Sequence, residues 1–234
     1  SHFALRTSVT IPAMDSLWRD DEAASFGTSP LALRVYTSRL LGREPSLVLH
    51  GGGNTSVKAQ ATNLFGEAED LIYVKGSGWD LATIEAPGFA ACRLAPLQRM
   101  ADLPALSDAD MVRAQRAAMT DPSAPTPSVE AMLHAIIPHA FVDHTHADAA
   151  VAVSNTPGGA DRIGEIYGPN VLVVPYVMPG FILAKTVRDL TRDADWSRIE
   201  GMILLSHGVF SFGPDARTSY ERMIALVTRA EEYL

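Results

Sequence analysis

Two histidines separated by a single residue, His144 and His146, are the strongest chemical signal in this sequence. Successive side chains of an extended strand point to opposite faces, so these two imidazoles emerge on the same side and can bind one metal ion. His207, which follows a separate apolar segment, is the obvious third ligand. A catalytic zinc ion usually has three protein ligands and an open fourth position. The pattern therefore predicts a metal centre for Zn²⁺, with Mn²⁺, Co²⁺, Ni²⁺ or Fe²⁺ compatible with the same donors.

Two glycine-rich segments carry short polar side chains that suit an anion. The first runs from Gly51 to Ser56, and the second runs from Lys75 to Gly78. Glycines let the backbone turn tightly and approach a ligand, and a second such loop that begins with a lysine favours phosphate or carboxylate binding. A hairpin turn between two strands is the alternative for the first segment. Neither segment has the spacing of a Walker loop or a dinucleotide fingerprint, so no nucleoside triphosphate or NAD site is predicted.

Glu130 is predicted to lie in the first turn of a helix that runs from 129 to about 137. A carboxylate at that position complements the positive end of the helix dipole, which is the simplest explanation for it. His134 and His139 lack the paired spacing of the two predicted ligands. We interpret both as structural residues or as supports for the metal ligands.

The elements that must position these residues alternate between strands and helices. This alternation predicts an α/β fold with three α/β/α layers around a central mixed, largely antiparallel sheet. Antiparallel pairs are expected across the glycines at 51–53 and across Gly208. Strands are predicted near 47–50, 71–74, 89–94, 141–145, 171–174, 202–205 and 209–212, and helices near 30–42, 107–119, 129–137, 147–154, 180–190 and 216–234.

Composition excludes several classes of protein. The 234 residues are 47% hydrophobic, which is enough for a packed core. A formal net charge of −8 argues against a nucleic-acid-binding surface, which usually shows clustered Lys and Arg. Cys92 is the single cysteine, so no internal disulfide is expected and the reducing cytosol is the natural compartment. No apolar run approaches the ~18 residues that span a bilayer, so we expect a cytoplasmic protein without a membrane partner.

The two ends of the chain are predicted to differ in role. Residues 1–28 are weakly periodic and are interpreted as an N-terminal arm or short helix that docks on a domain formed by 29–234. The apolar stripe of the last helix continues to Leu234 without a C-cap. We therefore expect that the natural protein continues beyond this residue.

Five short motifs, in a fixed order, resemble the class II aldolase/adducin family. The longer strings at 50–58 and 127–148 look most like the aldolase half of bifunctional rhamnulose-1-phosphate aldolase/alcohol dehydrogenase proteins, so the resemblance also implies that a dehydrogenase domain could follow. The five motifs are Gly53 to Ser56, Gly76 to Gly78, Ser128 to Glu130, His144 to His146 and Ser206 to Gly208.

The resemblance implies an α/β/α domain that assembles as a homotetramer, with zinc held by His144, His146 and His207. It further implies that Glu130 is the catalytic acid/base. Simpler aldolases of the family often have two serines before the acid, and Val129 takes the place of the second, which implies a weaker or differently arranged phosphate site. The residues implied to hold the substrate phosphate are Asn54, Ser77, Gly78 and Ser128.

The function predicted from these features is a zinc-dependent aldolase that cleaves a phosphorylated ketose, such as rhamnulose 1-phosphate, to dihydroxyacetone phosphate and an aldehyde. The metal would stabilise the enediolate formed when the carbon–carbon bond breaks, and Glu130 would move the proton. A dehydratase of thio-sugar phosphates and a 4-epimerase of pentulose phosphates compete on the same fold, although the epimerase usually has aspartate at this position. A non-catalytic adducin-like scaffold is the remaining alternative, and it would need neither the histidines nor the acid.

Overall fold

The structure is a computed structural model that describes residues 13–234. Residues 1–12 of the predicted arm lie outside the described residues. Within 13–234, no helix combines the length and hydropathy that crossing a membrane requires.

The strands are β1 Asn54–Thr62, β2 Ala68–Lys75, β3 Phe89–Arg93, β4 Phe141–Thr145, β5 Val171–Val174, β6 Gly201–Leu204 and β7 Gly208–Gly213. The α-helices are α1 Asp20–Phe26, α2 Pro30–Gly42, α3 Leu94–Met100, α4 Asp108–Ala118, α5 Ala131–Ile136, α6 Asp148–Ser154, α7 Gly159–Tyr167, α8 Phe181–Leu190 and α9 Ala216–Tyr233.

The seven strands form one sheet in the order β3-β2-β1-β4-β7-β6-β5. Neighbouring strands are antiparallel except for β5 and β6, which are parallel. The predicted mixed, largely antiparallel sheet is therefore confirmed. Strand β4 lies at its centre, where His144 pairs with Asn54 of β1 on one side and with Phe210 of β7 on the other.

Helices cover both faces of the sheet and complete the predicted three layers. On the α5 face, helices α3, α4, α5 and α8 bury side chains such as Leu133 and Phe181 against the strands. On the α9 face, helices α2, α6, α7 and α9 bury side chains such as Tyr36 and Val227. Because successive strand residues point to opposite faces, each strand contributes alternate side chains to the two cores.

The segment before the glycine-rich loop is not a strand, contrary to the prediction. Residues 44–52 fold into successive turns, in which the N–H groups of Leu47 and Val48 both donate to the carbonyl of Glu44. These two apolar residues are buried by side-chain packing and not by strand pairing. The glycines at 51–53 therefore lead from a turn into β1 and form no hairpin, whereas the antiparallel pair predicted around Gly208 is present as β6 and β7.

Helix α5 begins two residues later than predicted. Its first residue is Ala131, and Glu130 is the N-cap, with φ −88° and ψ 4°. The carbonyl of Glu130 accepts the first helical hydrogen bond, from His134 N–H at 3.0 Å. An N-cap residue lies only half inside the helix. The Glu130 side chain is therefore free to turn towards the sheet, where it contacts Asn54 of β1.

The described part of the predicted arm, residues 13–28, contains helix α1 and lies against α2 and α9. The Leu17 N–H donates to the hydroxyl of Tyr220, and the Arg19 N–H donates to the hydroxyl of Tyr36, each at 2.9 Å. Both tyrosines are buried, so their rings pack in the core while their hydroxyls bind the backbone of this segment.

A buried ion pair joins the central strand to the helices of the α9 face. Arg34 of α2 and Asp143 of β4 have fully buried side chains, and Nη2 of the arginine contacts Oδ1 of the aspartate. Ser219 of α9 donates its hydroxyl to the other carboxylate oxygen. A buried charge is strongly unfavourable without a partner, so this contact fixes how α2 and α9 sit on the strand that carries His144.

Replacing Asp143 with asparagine should lower the free energy of unfolding by about 3–5 kcal/mol, because Arg34 would keep its charge in the core without a carboxylate. Urea denaturation of both proteins measures the difference. The matched control is Glu69→Gln, which breaks a partly exposed pair with Arg93 and should cost at most about 1 kcal/mol. Equal losses in the two variants would contradict the importance of the buried pair.

Candidate metal centre and active site

Three histidine side chains converge at the end of β4. His144 is the penultimate residue of the strand, His146 follows its last residue, and His207 lies in the turn between β6 and β7. Each histidine contributes one ring nitrogen to a group of three nitrogens that all lie within 4.8 Å of one another. The ring centroids are 4.9 to 5.2 Å apart. His144 is buried, His207 is partly buried and His146 is exposed. The structure thus brings the three predicted ligands together in a cluster that opens to solvent on one side.

His144 has the hydrogen bonding of a metal ligand. Its Nδ1 lies 3.1 Å from the carbonyl oxygen of Val209. Because a carbonyl only accepts, Nδ1 carries the hydrogen and Nε2 keeps a free lone pair. Nε2 is buried and has no hydrogen-bond partner within residues 13–234. Burial first, and then the charge of His146, lowers the pKa of His144 well below its ordinary value. The ring is therefore neutral, and its partnerless nitrogen fits a metal ion.

A tight turn carries His207 to the cluster. Ser206 before it has a positive φ of 57°, which is uncommon for residues other than glycine. A Cβ on Gly208, the next residue, would lie 2.2 Å from the carbonyl oxygen of Thr145 and 3.0 Å from Cε1 of His144. Only glycine therefore allows this close approach to β4. Burial lowers the pKa of His207 to about 4, so this ring is also neutral.

The carboxylate of Glu130 lies beside the histidine cluster. Its Oε2 is 3.5 Å from Nε2 of His144, and its Oε1 is 3.8 Å from Nε2 of His207. The side chain is 5% exposed and makes no hydrogen bond to the start of α5, so the helix dipole does not account for its position. Burial raises the pKa of Glu130, against a smaller lowering by the hydrogen bond from Asn54. A raised pKa brings a carboxyl group closer to the range in which it exchanges protons at neutral pH.

A chain of hydrogen bonds ties Glu130 to the sheet. Nδ2 of Asn54 donates to Oε2 of Glu130 at 2.7 Å, and Oδ1 of Asn54 accepts from Nε2 of His134. Because His134 donates from Nε2, its Nδ1 accepts the hydroxyl hydrogen of Ser56, at 2.8 Å. All four residues are buried. The chain therefore fixes the tautomer of His134 and the orientation of the Asn54 amide, and it holds a donor against the carboxylate.

Sequence reasoning gave His134 a supporting role but did not connect it with Asn54. Two residue spacings in the sequence are consistent with this hydrogen-bond chain. Asn54 and Ser56 lie two residues apart on a strand and share a face, and Glu130 and His134 lie four residues apart, which puts them one above the other along a helix. Each spacing is common by itself, and only the packing of α5 on β1 joins the two pairs.

A cleft of about 360 Å³ opens beside the histidine cluster. Its walls are the segments 51–54, 75–78 and 128–130, together with His146 and His207. Backbone hydrogen bonds hold two of these segments together, since Ser77 N–H donates to the Thr126 carbonyl and Ser128 N–H to the Lys75 carbonyl. The structure thus places all four residues predicted to bind phosphate in one cleft: Asn54, Ser77, Gly78 and Ser128.

The four residues differ in how much hydrogen-bonding capacity remains for a ligand. The Asn54 amide already binds Glu130 and His134, which leaves it one N–H. Ser77 and Gly78 are exposed. The Ser128 hydroxyl oxygen accepts from the Glu130 N–H at 3.2 Å, so its hydrogen is available for donation. The serines are therefore better placed than Asn54 to bind an anion.

Replacing His144 with alanine should lower the affinity for zinc by more than about 100-fold. Removing only a residue that hydrogen-bonds to a metal ligand already lowers metal affinity by about 10- to 100-fold, and this change removes the ligand itself. Calorimetric titration of zinc and the zinc content after dialysis measure the change. His50→Asn is the matched control, since His50 is exposed, lies outside the cluster and has a positive φ of 53° that asparagine tolerates. Undiminished zinc binding by the His144 variant would rule out this site.

Known proteins match nearly the whole chain. Residues 32–234 match the family model of the class II aldolase and adducin N-terminal domain. The uncharacterized oxidoreductase YuxG of Bacillus subtilis (strain 168) is 34% identical over 218 residues, which are 93% of this chain and 31% of that protein. This chain thus spans about a third of the length of that curated relative.

Solved structures share the fold described above. The N-terminal class II aldolase domain of a conserved protein from Thermoplasma acidophilum is 40% identical, with a TM-score of 0.86 over 94% of this chain and 99% of that chain. L-fuculose-1-phosphate aldolase from Thermus thermophilus has a TM-score of 0.52 at 18% identity, over 85% of this chain and 91% of that chain, and this likeness concerns the fold alone. Because the family model and a closely superimposable domain both cover most of its length, this chain belongs to the class II aldolase and adducin family.

Proposed function

We propose that this chain is a zinc-dependent aldolase that cleaves a phosphorylated ketose to dihydroxyacetone phosphate and an aldehyde. The observation that carries the proposal is the position of the buried Glu130 carboxylate, 3.5 Å from His144 and 3.8 Å from His207. Cleavage of this kind needs a proton-transfer group beside a metal centre. Membership of the class II aldolase family supports the reaction class, and the resemblance to rhamnulose-1-phosphate aldolases makes a ketose of that type the first substrate to test.

His144, His146 and His207 would hold the metal. A divalent ion bound there would act as a Lewis acid and stabilise the negative charge that develops on the substrate oxygens. Support comes from His144, whose buried Nε2 has a free lone pair while Nδ1 is held by the Val209 carbonyl. Mn²⁺, Co²⁺ or Fe²⁺ would suit the same donors.

Cleavage breaks the bond between C3 and C4 of the ketose. The C4 hydroxyl gives its proton to solvent water at the open side of the cleft as the aldehyde forms, and the electron pair of the broken bond stays with the dihydroxyacetone phosphate half, so the proton released at C4 balances the one delivered to C3. Glu130 would deliver a proton to C3 and would remove it in the reverse condensation. Its burial keeps bulk water from the carboxyl group, and the hydrogen bond from Asn54 fixes one of its oxygens.

The proposal extends to the organisation of the molecule. Residues 29–234 would form the catalytic domain, with 1–28 as an arm, and four copies would assemble as a homotetramer, which sedimentation equilibrium tests directly. The residues that would hold the substrate phosphate are Asn54, Ser77, Gly78 and Ser128.

A screen of phosphorylated ketoses with the zinc-loaded protein, coupled to detection of dihydroxyacetone phosphate, tests the reaction. We expect at least one ketose 1-phosphate to be cleaved. Dehydration or epimerisation of a sugar phosphate without cleavage would replace the aldolase proposal with the corresponding alternative on this fold. No turnover of any kind by zinc-loaded protein would favour the non-catalytic scaffold.

Replacing Glu130 with glutamine should lower kcat by about 100- to 10,000-fold, because the amide cannot transfer the proton that a general acid/base supplies. The zinc content should not change. Glu165→Gln is the matched control, because Glu165 is exposed on α7 and lies outside the cleft. Retained turnover in the Glu130 variant would remove this residue from its proposed role.

Replacing His134 with leucine should lower kcat by about 10- to 100-fold at unchanged zinc content, because the Asn54 amide loses the donor that orients it towards Glu130. His134→Gln keeps a donor and an acceptor and should recover part of the loss. Both variants are compared for kcat, zinc content and unfolding temperature. Equal kcat in the leucine variant and the natural protein would show that the hydrogen-bond chain does not position the carboxylate.

A further inference from the structure

A lysine at the opposite end of α5 from Glu130 has no role in the chemistry described above. Lys58 of β1 is partly buried, and its Nζ donates to the carbonyl oxygens of His134 and His139, each at 2.8 Å. Both acceptors belong to the backbone, and one of them is the carbonyl of the histidine that orients Asn54. Lys58 therefore touches the hydrogen-bond chain behind the carboxylate without reaching the cleft.

Helix α5 depends on contacts at its C-terminal end because it is short. It has six residues, and Pro138 follows its C-cap. The last carbonyls of a helix have no partner within it, and a helix of this length has little stability of its own. Lys58 binds the carbonyl of His134, and Nε2 of Gln98 donates to that of Ala135 at 3.2 Å. A positive charge also suits the negative end of the helix dipole.

Three polar residues on one face of β1 bind α5 in order along its length. Asn54, Ser56 and Lys58 are two residues apart, so their side chains share a face of the strand. Asn54 binds Glu130 at the N-cap, at 2.7 Å. Ser56 then binds the ring of His134, and Lys58 binds the carbonyl of the same residue. The histidine is thus held at both its ring and its backbone, and the place of its Nε2 depends on both contacts.

Stability alone does not explain a lysine at this position. Burial lowers the pKa of Lys58 from 10.5 to about 7, so the fold disfavours its charged form. The unfolded chain keeps this proton up to about pH 10, whereas the folded chain releases it near pH 7. The resulting penalty grows as the pH falls from 10.5 towards 7 and is complete below pH 7. A neutral donor would bind the carbonyls without this cost.

We propose that Lys58 is a positioning residue for the cleavage reaction and acts on Glu130 through His134. Its two hydrogen bonds fix the end of α5 and set where Nε2 of His134 meets the Asn54 amide. The amide in turn sets where the carboxylate of Glu130 lies. This inference rests on the proposed function, in which Glu130 transfers the proton.

Kinetics of the zinc-loaded full chain on rhamnulose 1-phosphate test this role. Lys58→Met removes both hydrogen bonds and should lower kcat about 10- to 100-fold, because a displacement of about 1 Å far from the chemistry can cost about 100-fold. KM and zinc content should stay within about threefold. Lys58→Arg keeps charged donors for both carbonyls and should restore kcat to within about threefold of the natural protein. Equal kcat in Lys58→Met and the natural protein would overturn the inference.

Lys185→Met is the matched control, because Lys185 is a partly buried lysine that pairs with Asp189 on α8 and lies outside the cleft. It should leave kcat unchanged. Should Lys58→Met fail to fold, Lys58→Gln takes its place, because it keeps one neutral donor, and its kcat should fall at least about threefold. A Lys58→Gln variant with the kcat of the natural protein would also overturn the inference.

A double variant separates positioning from a general loss of stability. If Lys58 acts through His134, then Lys58→Met should lower kcat by no more than about threefold further in the His134→Leu background, since residues of one hydrogen-bond network are not additive. Independent effects would multiply, and that result would contradict the inference. So would a lower free energy of unfolding in urea with no change in kcat, which is the result of a purely structural role.

Nitrogen NMR of the histidine rings in the zinc-loaded chain gives a readout that needs no turnover. The signals of His134, identified by their loss in His134→Leu, report which ring nitrogen carries the hydrogen. In the natural protein this is Nε2, because Nδ1 accepts from Ser56. Lys58→Met should lower the population of this tautomer, and an unchanged spectrum would overturn the inference. A changed spectrum in a protein that cleaves no ketose would leave the contact between Lys58 and His134 standing and remove the proposed function.

Discussion

The buried ion pair between Arg34 and Asp143 is the interaction on which the rest of the structure depends. Asp143 lies on the central strand, next to His144, and the two side chains point to opposite faces of the sheet. One face therefore anchors the strand to α2 and α9 through a charge that must stay paired, while the other presents His144 to the histidine cluster. A metal ligand has to be held within a few tenths of an ångström, and a strand bound on both edges and anchored from behind provides that rigidity.

Most of the buried polar atoms without a hydrogen-bond partner belong to the histidine cluster and the adjacent carboxylate. Five buried side-chain nitrogen or oxygen atoms of residues 13–234 have no hydrogen-bond partner, and three of them belong to Glu130, His144 and His207. Around them, the Asn54 amide binds Glu130 and His134, and the second ring nitrogen of His134 binds Ser56. Buried polar groups normally have partners, so a cluster of exceptions inside an otherwise satisfied network is typical of a site that binds a ligand.

Two kinds of chemistry meet in the same cleft. The three histidines and the Glu130 carboxyl group converge at the end of β4, and the serine hydroxyls with the Lys75 ammonium lie where β2 ends and α5 begins. The first group suits a metal and a proton, and the second suits an anion. In the proposed function, a ketose 1-phosphate would span both groups, with its C2 carbonyl and C3 hydroxyl oxygens at the histidines and its phosphate at the second group.

By itself, the sequence determined the fold class and the candidate metal ligands. Strand alternation and apolar periodicity are local properties, and His144 and His146 share a face in any extended strand. Only the tertiary structure decided what Glu130 and His134 do. Their contacts with Asn54 cross 76 and 80 residues of sequence, and they exist because α5 starts late and packs on β1. Local patterns do not encode which face of one element meets another, since that depends on how the whole core packs.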